Sequence, residues 1–464
     1  MKSRRPFARP QPSLLSNSAP SGHVSARERL AWCLFDFANS SFTTVITTVA
    51  YSVYFTNVVA PADTRYGTGE ALWGIAYSVS MIVTALLSPV LGAMADQQAA
   101  KKQYLAVVTG ICIMCTAGLY FVKPGDVLLG LVLFALANVG FELGYTFYSA
   151  FLVELVPKED MGRMSGAGWA VGYVGSLCSL AIAYPFVKGG FAPENLESYR
   201  QSFLATAVFF LIACIPTFLF LKERARPAPH PSGVSVWRIG FSRVLHTFRE
   251  IRRYRELVIF LVAYLLYTDG INTVVAFSGI FAVQALGFTP KDLIIFFLII
   301  QLSAGAGSYG FGILTDRIGP KRVIAITLWM WVGIAIWAFG VRSVTEFYMI
   351  GLAAGAALGA NQAASRTLLA RFVPVGRQAE FFGFFALSGK FAATIGPILY
   401  GQVVLWSGSQ RWAVLSLVPF FFGGWIVLRF VNETAGQNAA QADTVADDPN
   451  VRGDGSAERN GILH

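Results

Sequence analysis

Four ionisable residues stand out inside long apolar stretches of this 464-residue chain, Asp36, Glu142, Asp269 and Lys390, with Glu154, Arg366, Arg371 and Glu380 nearer the ends of such stretches. A charge at the centre of a membrane helix costs at least about 2.5–3.5 kcal/mol on the insertion scale, so each is a candidate for function. In a partly dehydrated cavity a carboxylate can carry a proton or hold a substrate amine. An ammonium can hold a substrate carboxylate, or pair with one of the acids when no substrate is present. At about 1.5 Å per residue, Asp269, Lys390 and Glu142 all come near mid-membrane, and Asp36 lies shallower. The competing duty is a structural ion pair or a bond to backbone carbonyls; Asp36 could pair with Arg163 or Arg366. Five neutral polar residues share these stretches: Asn39, Asn138, Asn272, Asn361 and Gln362. They could bind a zwitterion, or only tie helices together at about 0.6 kcal/mol each. Tyr145, Tyr148, Trp169 and Tyr173 could wall a cavity or simply pack.

A second kind of residue set occurs in duplicate. Gly92 and Asp96 followed by Lys101 and Lys102 recur as Gly312 and Asp316 followed by Lys321 and Arg322. Leu155-Val156-Pro157, Gly166 and Gly172 recur as Phe372-Val373-Pro374, Gly383 and Gly389. Glycine lets two helices approach closely, and an aspartate at a helix end can meet basic residues or the positive N-terminus of a neighbouring helix. Such a contact can form in one conformation and break in another, so it works as a latch. The second copy is the fuller one, with Arg317 and Gly319; the first has Gln97 and Ala99 there, which predicts a weaker latch.

These residues need apolar elements to carry them. The chain is 55% hydrophobic and 13% charged, whereas soluble domains carry about 25% charged residues. A bilayer core takes roughly 20 helical residues to cross, and backbone groups in lipid must be satisfied within the segment. Twelve suitable stretches occur, near 30–60, 70–95, 102–122, 126–155, 162–187, 200–221, 257–285, 290–315, 321–341, 344–372, 379–404 and 410–431. The expected fold is an all-α membrane protein with twelve transmembrane helices in two six-helix repeats. Its parts are a disordered N-tail (1–29), a bundle (30–221), a linker (222–256), a second bundle (257–431) and a disordered C-tail (432–464). Gly166, Gly168, Gly172 and Gly175 on span 5, and Gly305, Gly307, Gly310 and Gly312 on span 8, suit helices that slide at close range.

Orientation follows from Lys and Arg. With the N-terminus inside, 28 fall on inside segments and 7 on outside segments, so both termini are expected in the cytoplasm. This bias accounts for the net charge of +10 and points to anionic lipid headgroups rather than nucleic acid. The first 29 residues lack the apolar core of a cleavable signal. All five Cys fall inside the stretches; Cys112 and Cys115 have redox spacing without its βαβ setting and are expected to pack. The basic, aromatic-bearing 237–255 stretch is expected at the lipid interface.

Several motifs together resemble one family. Trp32-Cys33-Leu34-Phe35-Asp36-Phe37-Ala38-Asn39 is similar to the first-helix signature of the vacuole-effluxer (autophagy-related) and ultramicrobacterial branch of the major facilitator superfamily. So are Asn138-Val139-Gly140-Phe141-Glu142, the segment from Met161 to Tyr173, Tyr267-Thr268-Asp269-Gly270-Ile271-Asn272, Asn361 to Arg366, and Ser388-Gly389-Lys390-Phe391. The resemblance implies the facilitator fold, with spans 1, 4, 7 and 10 facing a central cavity and 2, 5, 8 and 11 at the seams between halves. That places Asp36, Glu142 and Asp269 on cavity helices, with Lys390 in reach. Fungal members are described as vacuolar amino-acid effluxers, so a small solute, an amino acid or similar compound, is the implied cargo, with protons as the expected coupling ion.

Other chemistries are poorly served. No Gly-x-x-x-x-Gly-Lys-Ser/Thr loop occurs. The four His lie in tails or linker, and no serine-hydrolase elbow occurs. The chain is therefore expected to be no enzyme, to bind no metal or cofactor, and to act as a monomer in a bacterial cytoplasmic membrane. Two rival readings stand beside solute transport: export or flipping of lipid-like compounds, for which Phe-rich span 11 has room, and a sensor or scaffold that kept the fold.

Overall fold

The computed structural model describes residues 24–61, 68–227, 235–249, 252–392 and 394–446, and every regular element among them is helical. Spans 1 to 6 run Ala26–Val59, Gly69–Gln98, Lys101–Phe121, Val127–Leu155, Lys158–Val187 and Pro193–Phe220; spans 7, 8, 9, 11 and 12 run Arg255–Leu286, Lys291–Ile318, Pro320–Gly340, Gln378–Ser407 and Gln410–Arg429. These eleven are long and apolar enough to cross a membrane. Span 10, Val344–Phe372, has the length at 29 residues. Its Ala, Gly, Glu346, Arg366 and Arg371 lower its hydropathy. It packs against spans 5, 8 and 9, where apolarity matters less than a small profile.

Local chemistry sets the element ends. Ser25 caps span 1 by accepting from the Glu28 N–H, so the helix begins at Ala26 inside the segment expected to be tail. The β-branched run Phe42–Val49 winds as a π-helix, in which the Thr48 hydroxyl reaches the Thr43 carbonyl five residues back at 2.9 Å. Span 11 breaks: one helix ends at Phe391 and the next starts at Ile395. Pro397 accounts for the break, because its ring crowds the preceding turn and removes a donor.

Two expectations about connecting segments change. The linker is not all loop, since Val236–Arg249 forms a helix lying on span 2. Gly240 sits so close to span 2 that a Cβ would come 2.7 Å from the Met94 side chain. The opposite stripe, Trp237, Phe241 and Leu245, is exposed, as an interfacial helix requires. The C-tail, expected to be disordered, is helical over Glu433–Ala446. Asn432 caps it by accepting from the Ala435 N–H at 3.0 Å, and Gly436 packs on the Phe372 ring. Expectations for 1–23 and 447–464 lie outside the described residues.

The halves meet along two seams related by the internal repeat. Span 5 packs on span 8, and span 2 on span 11. A Cβ on Gly166 would lie 2.2 Å from the Ser308 carbonyl oxygen, and one on Gly312 would lie 2.6 Å from that of Gly162. Their repeat mates do the same at the other seam: a Cβ on Gly92 would lie 2.2 Å from the Ala379 carbonyl oxygen, and one on Gly383 would lie 2.6 Å from the backbone of Pro89. No side chain fits at these four positions while the seams are closed.

Candidate transport site

Both aspartates of the duplicated motif close a seam by capping the opposite half. Asp316, at the end of span 8, accepts from the N–H groups of Gly162 at 2.7 Å and Arg163 at 2.9 Å, where span 5 begins. Asp96, at the end of span 2, accepts from Ala379 at 3.1 Å and Glu380 at 2.9 Å, where span 11 begins. A carboxylate on a helix N-terminus meets both free amides and the positive end of the macrodipole. The first copy, despite its departures from the motif, makes as many such bonds as the second. The Arg243 guanidinium of the linker helix donates to Gln97 at 2.9 Å, replacing the cation the first motif lacks. Arg317 and Arg322 are exposed. Lys321 donates instead to the carbonyls of Arg429 at 3.0 Å and Val431, closing the end of span 12.

The motif-bearing face carries further buried charge. Lys101 pairs with Glu154 and lies 3.4 Å from Glu223, and Arg224 pairs with Glu28 at 2.6 Å. Burial raises the Glu223 carboxyl above its ordinary value, against the pull of Lys101. Glu433 of the tail helix, 3.8 Å from Arg371, is likewise raised by burial, with Arg371 opposing. Arg377 holds Glu380 at 2.9 Å, and Thr247 of the linker helix bonds to both.

In the membrane interior, Glu142 and Lys390 meet. Span 4 of the first half supplies the carboxylate and span 11 of the second supplies the ammonium, 2.5 Å apart and with 11% and 21% of their side chains exposed. The pair lies just before the break in span 11. It is the one interior ion pair among the described residues whose members both keep some access.

Asp36 is buried and lies 3.5 Å from Arg366. It also accepts from the Tyr148 hydroxyl at 3.1 Å. Asp269 is buried, and its Oδ1 has no hydrogen-bond partner among the described residues. One of its oxygens accepts from Ile395 at 3.1 Å and Gly396 at 3.0 Å, capping the second piece of span 11. Asn272 serves the other side of the break, donating to the Ala392 carbonyl at 2.8 Å. Asn138 donates to Ser80 at 2.8 Å and Asn361 to Thr327 at 3.0 Å, each within one half. Gln362 accepts from the Tyr173 hydroxyl at 2.7 Å and so bridges the halves. Asn39 is buried, and its side-chain oxygen has no hydrogen-bond partner among the described residues.

Sequence reasoning missed the surroundings of Arg366. Its guanidinium carbon lies 5.0, 5.6 and 5.5 Å from the ring centres of Trp32, Tyr148 and Trp169. Its Nε donates to the Ser165 hydroxyl at 2.8 Å and one Nη to the Ser165 carbonyl at 2.6 Å. The available signal was an arginine in an otherwise apolar span whose repeat mate, 217 residues earlier, is Ser149.

Comparison with known proteins accords with this architecture. Residues 4–180 match the Major Facilitator Superfamily, and residues 157–441 match the family described as vacuole effluxer Atg22 like. The chain is 28% identical over 419 residues to YxiO of Bacillus subtilis (strain 168), described as an uncharacterized MFS-type transporter, covering 89% of this chain and 97% of that protein. It is 26% identical to Autophagy-related protein 22 of Yarrowia lipolytica, but spans only 51% of that protein's length. The solved proton:xylose symporter XylE superposes with a TM-score of 0.67 at 15% identity, over 90% of this chain and 98% of that one. Two six-span halves, paired glycine seams and a family match over more than half the chain lead to one conclusion: this protein belongs to the Atg22-like vacuole effluxer family of the major facilitator superfamily, and is a multi-pass membrane transporter by fold and kin.

Proposed function

We propose that this protein is a secondary active transporter. It moves a small amine-bearing solute, an amino acid or a similar compound, by alternating access coupled to protons. The observation that carries the reading is the Glu142–Lys390 pair, shared between the halves and partly exposed, while both seams are held shut by Asp96 and Asp316. A zwitterion entering between Glu142 and Lys390 replaces one ion pair by two, and protonation of Glu142 frees Lys390. Either event removes a tie between the halves, so occupancy biases the rocking equilibrium. The excess of Lys and Arg favours a cytoplasmic position for the latch-bearing face, so this conformation is read as closed toward the cytoplasm. A monomer in a bacterial inner membrane fits the charge pattern and the bacterial relative. Asp269 and Asn272 hold the break in span 11 and so support Lys390 rather than touch the solute.

Flux into proteoliposomes tests the reading. Glu142→Gln and Lys390→Met should each insert and fold, yet lose solute-driven flux by at least about 100-fold, since each removes a group acting directly in coupling. Glu142→Gln should also lose the pH dependence. Wild-type flux and wild-type pH dependence in both variants would sink the proposal. Absence of flux in the unmodified protein, with solute binding retained, would mark it as a sensor.

A further inference from the structure

The pocket around Arg366 is built asymmetrically. Trp32, Asp36, Tyr148, Ser165 and Trp169 all belong to the first half, and the guanidinium they enclose comes from span 10 of the second. Trp32 and Tyr148 stack at 4.5 Å, and Trp32 is pinned by its indole N–H on the Tyr148 carbonyl at 2.9 Å. Gly168 leaves the floor open: a Cβ there would come within 2.8–3.0 Å of Tyr148, Trp32 and Arg366. Arg366 and Asp36 are both nearly inaccessible, yet one Nη of Arg366 makes no hydrogen bond among the described residues. The arginine is therefore held by two hydrogen bonds to Ser165, by aromatic faces and by a carboxylate at 3.5 Å, and the faces and the carboxylate would receive another compact organic cation as well.

When the latch-bearing face opens, span 10 leaves with the second half and Arg366 leaves the pocket. What remains is a rigid aromatic box with a carboxylate at one side, facing the newly opened space. Glu142, Tyr145 and Tyr148 follow one another up span 4 at three-residue intervals, so the box and the Glu142–Lys390 pair lie about 9 Å apart along one helix face.

We infer that this box is the binding site, in the conformation open at the latch-bearing face, for the cationic group of the transported solute, a guanidinium or a methylated ammonium, and that Arg366 is its internal stand-in when that face is closed. The inference rests on the transporter reading and specifies its cargo. Solute and Arg366 compete for one place, so the solute holds the face open and its departure lets the arginine close it.

Thr367 gives a reporter. It is fully buried on span 10 beside Arg366, so Thr367→Cys, in a chain whose five native cysteines are replaced by serine, reacts with an impermeant maleimide only when the face opens. Agmatine or tetramethylammonium, supplied at that face, should raise its labelling rate several-fold; leucine at the same concentration should not. Arg366→Met empties the box and should tighten agmatine binding, followed by tryptophan fluorescence, while Trp32→Ala in that background should weaken it about tenfold. If Arg366→Met does not fold, the labelling result decides alone. Equal labelling with leucine and agmatine, or agmatine binding indifferent to Trp32, overturns the inference. Flux lost in Glu142→Gln alongside such a result would leave the transporter reading standing without the cationic cargo.

Discussion

Asp269 and Glu142 share a depth in the membrane and differ in what they face. Asp269 spends one oxygen on two amides at a helix start, and Glu142 faces a mobile ammonium from the other half. A capping carboxylate contributes about 0.5–2 kcal/mol. Asp269→Ala should therefore lower thermal stability by about 1 kcal/mol while leaving proteoliposome flux within a few-fold of the original. Flux abolished with stability intact would return Asp269 to the cavity. That Lys390 could meet one of the mid-membrane acids was legible in sequence, because few charges sit at that depth, but which acid was not. Nor was the duty of Asp269, since it depends on a helix break five residues past Lys390. The aromatic box was hidden for a different reason. Tyr and Trp are common packing residues in membrane helices, and an arginine six residues from a helix end reads as one that reaches for the interface.

At the scale of elements, hydropathy revealed the spans, and the family resemblance implied both seams. It failed where short polar segments fold by packing. The linker and tail helices have no apolar run, and they form because span 2 and Phe372 offer surfaces to a glycine on each. The contact of Gln97 in the first motif was hidden because its partner, Arg243, comes from the linker, 146 residues away in sequence. One departure from the motif does carry a cost. Ala99 ends span 2 in a left-handed conformation, φ +51° and ψ +47°, and Gly319, at the matching place after span 8, also has a positive φ of +91°. An L-residue there costs about 1–2 kcal/mol, and glycine returns part of that to unfolded-chain entropy. Ala99→Gly should stabilise the protein by roughly 0.5–1 kcal/mol, read as a raised midpoint in thermal unfolding. A lowered midpoint would show that the backbone there relaxes without strain.

For the molecule as a whole, the two latches act on one equilibrium. Each carboxylate makes two charge-assisted bonds in the closed state and none to those amides once the halves part. If each aspartate biases closure by about 1.4 kcal/mol, a modest share of what such bonds can give, Asp96→Asn and Asp316→Asn each raise the open population about tenfold. The double variant should then raise it about a hundredfold, with labelling of Thr367→Cys as the measure. A double variant no more open than either single one would mean that the seams part independently rather than as faces of two rigid bodies.

The helix on span 2 is tethered unevenly. Residues 222–235 separate it from span 6, a stretch that can extend to about 45 Å, while residues 250–254 separate it from span 7 and can extend to only about 17 Å. Its connection to the second half is short, and its resting place, through Gly240, Arg243 and Thr247, straddles the span 2–span 11 seam. Mechanically it is a cleat. When the halves part it must travel with span 7 and peel from span 2, so the work of opening includes stripping a helix off its berth. The contacts that hold that helix on span 2 therefore oppose opening.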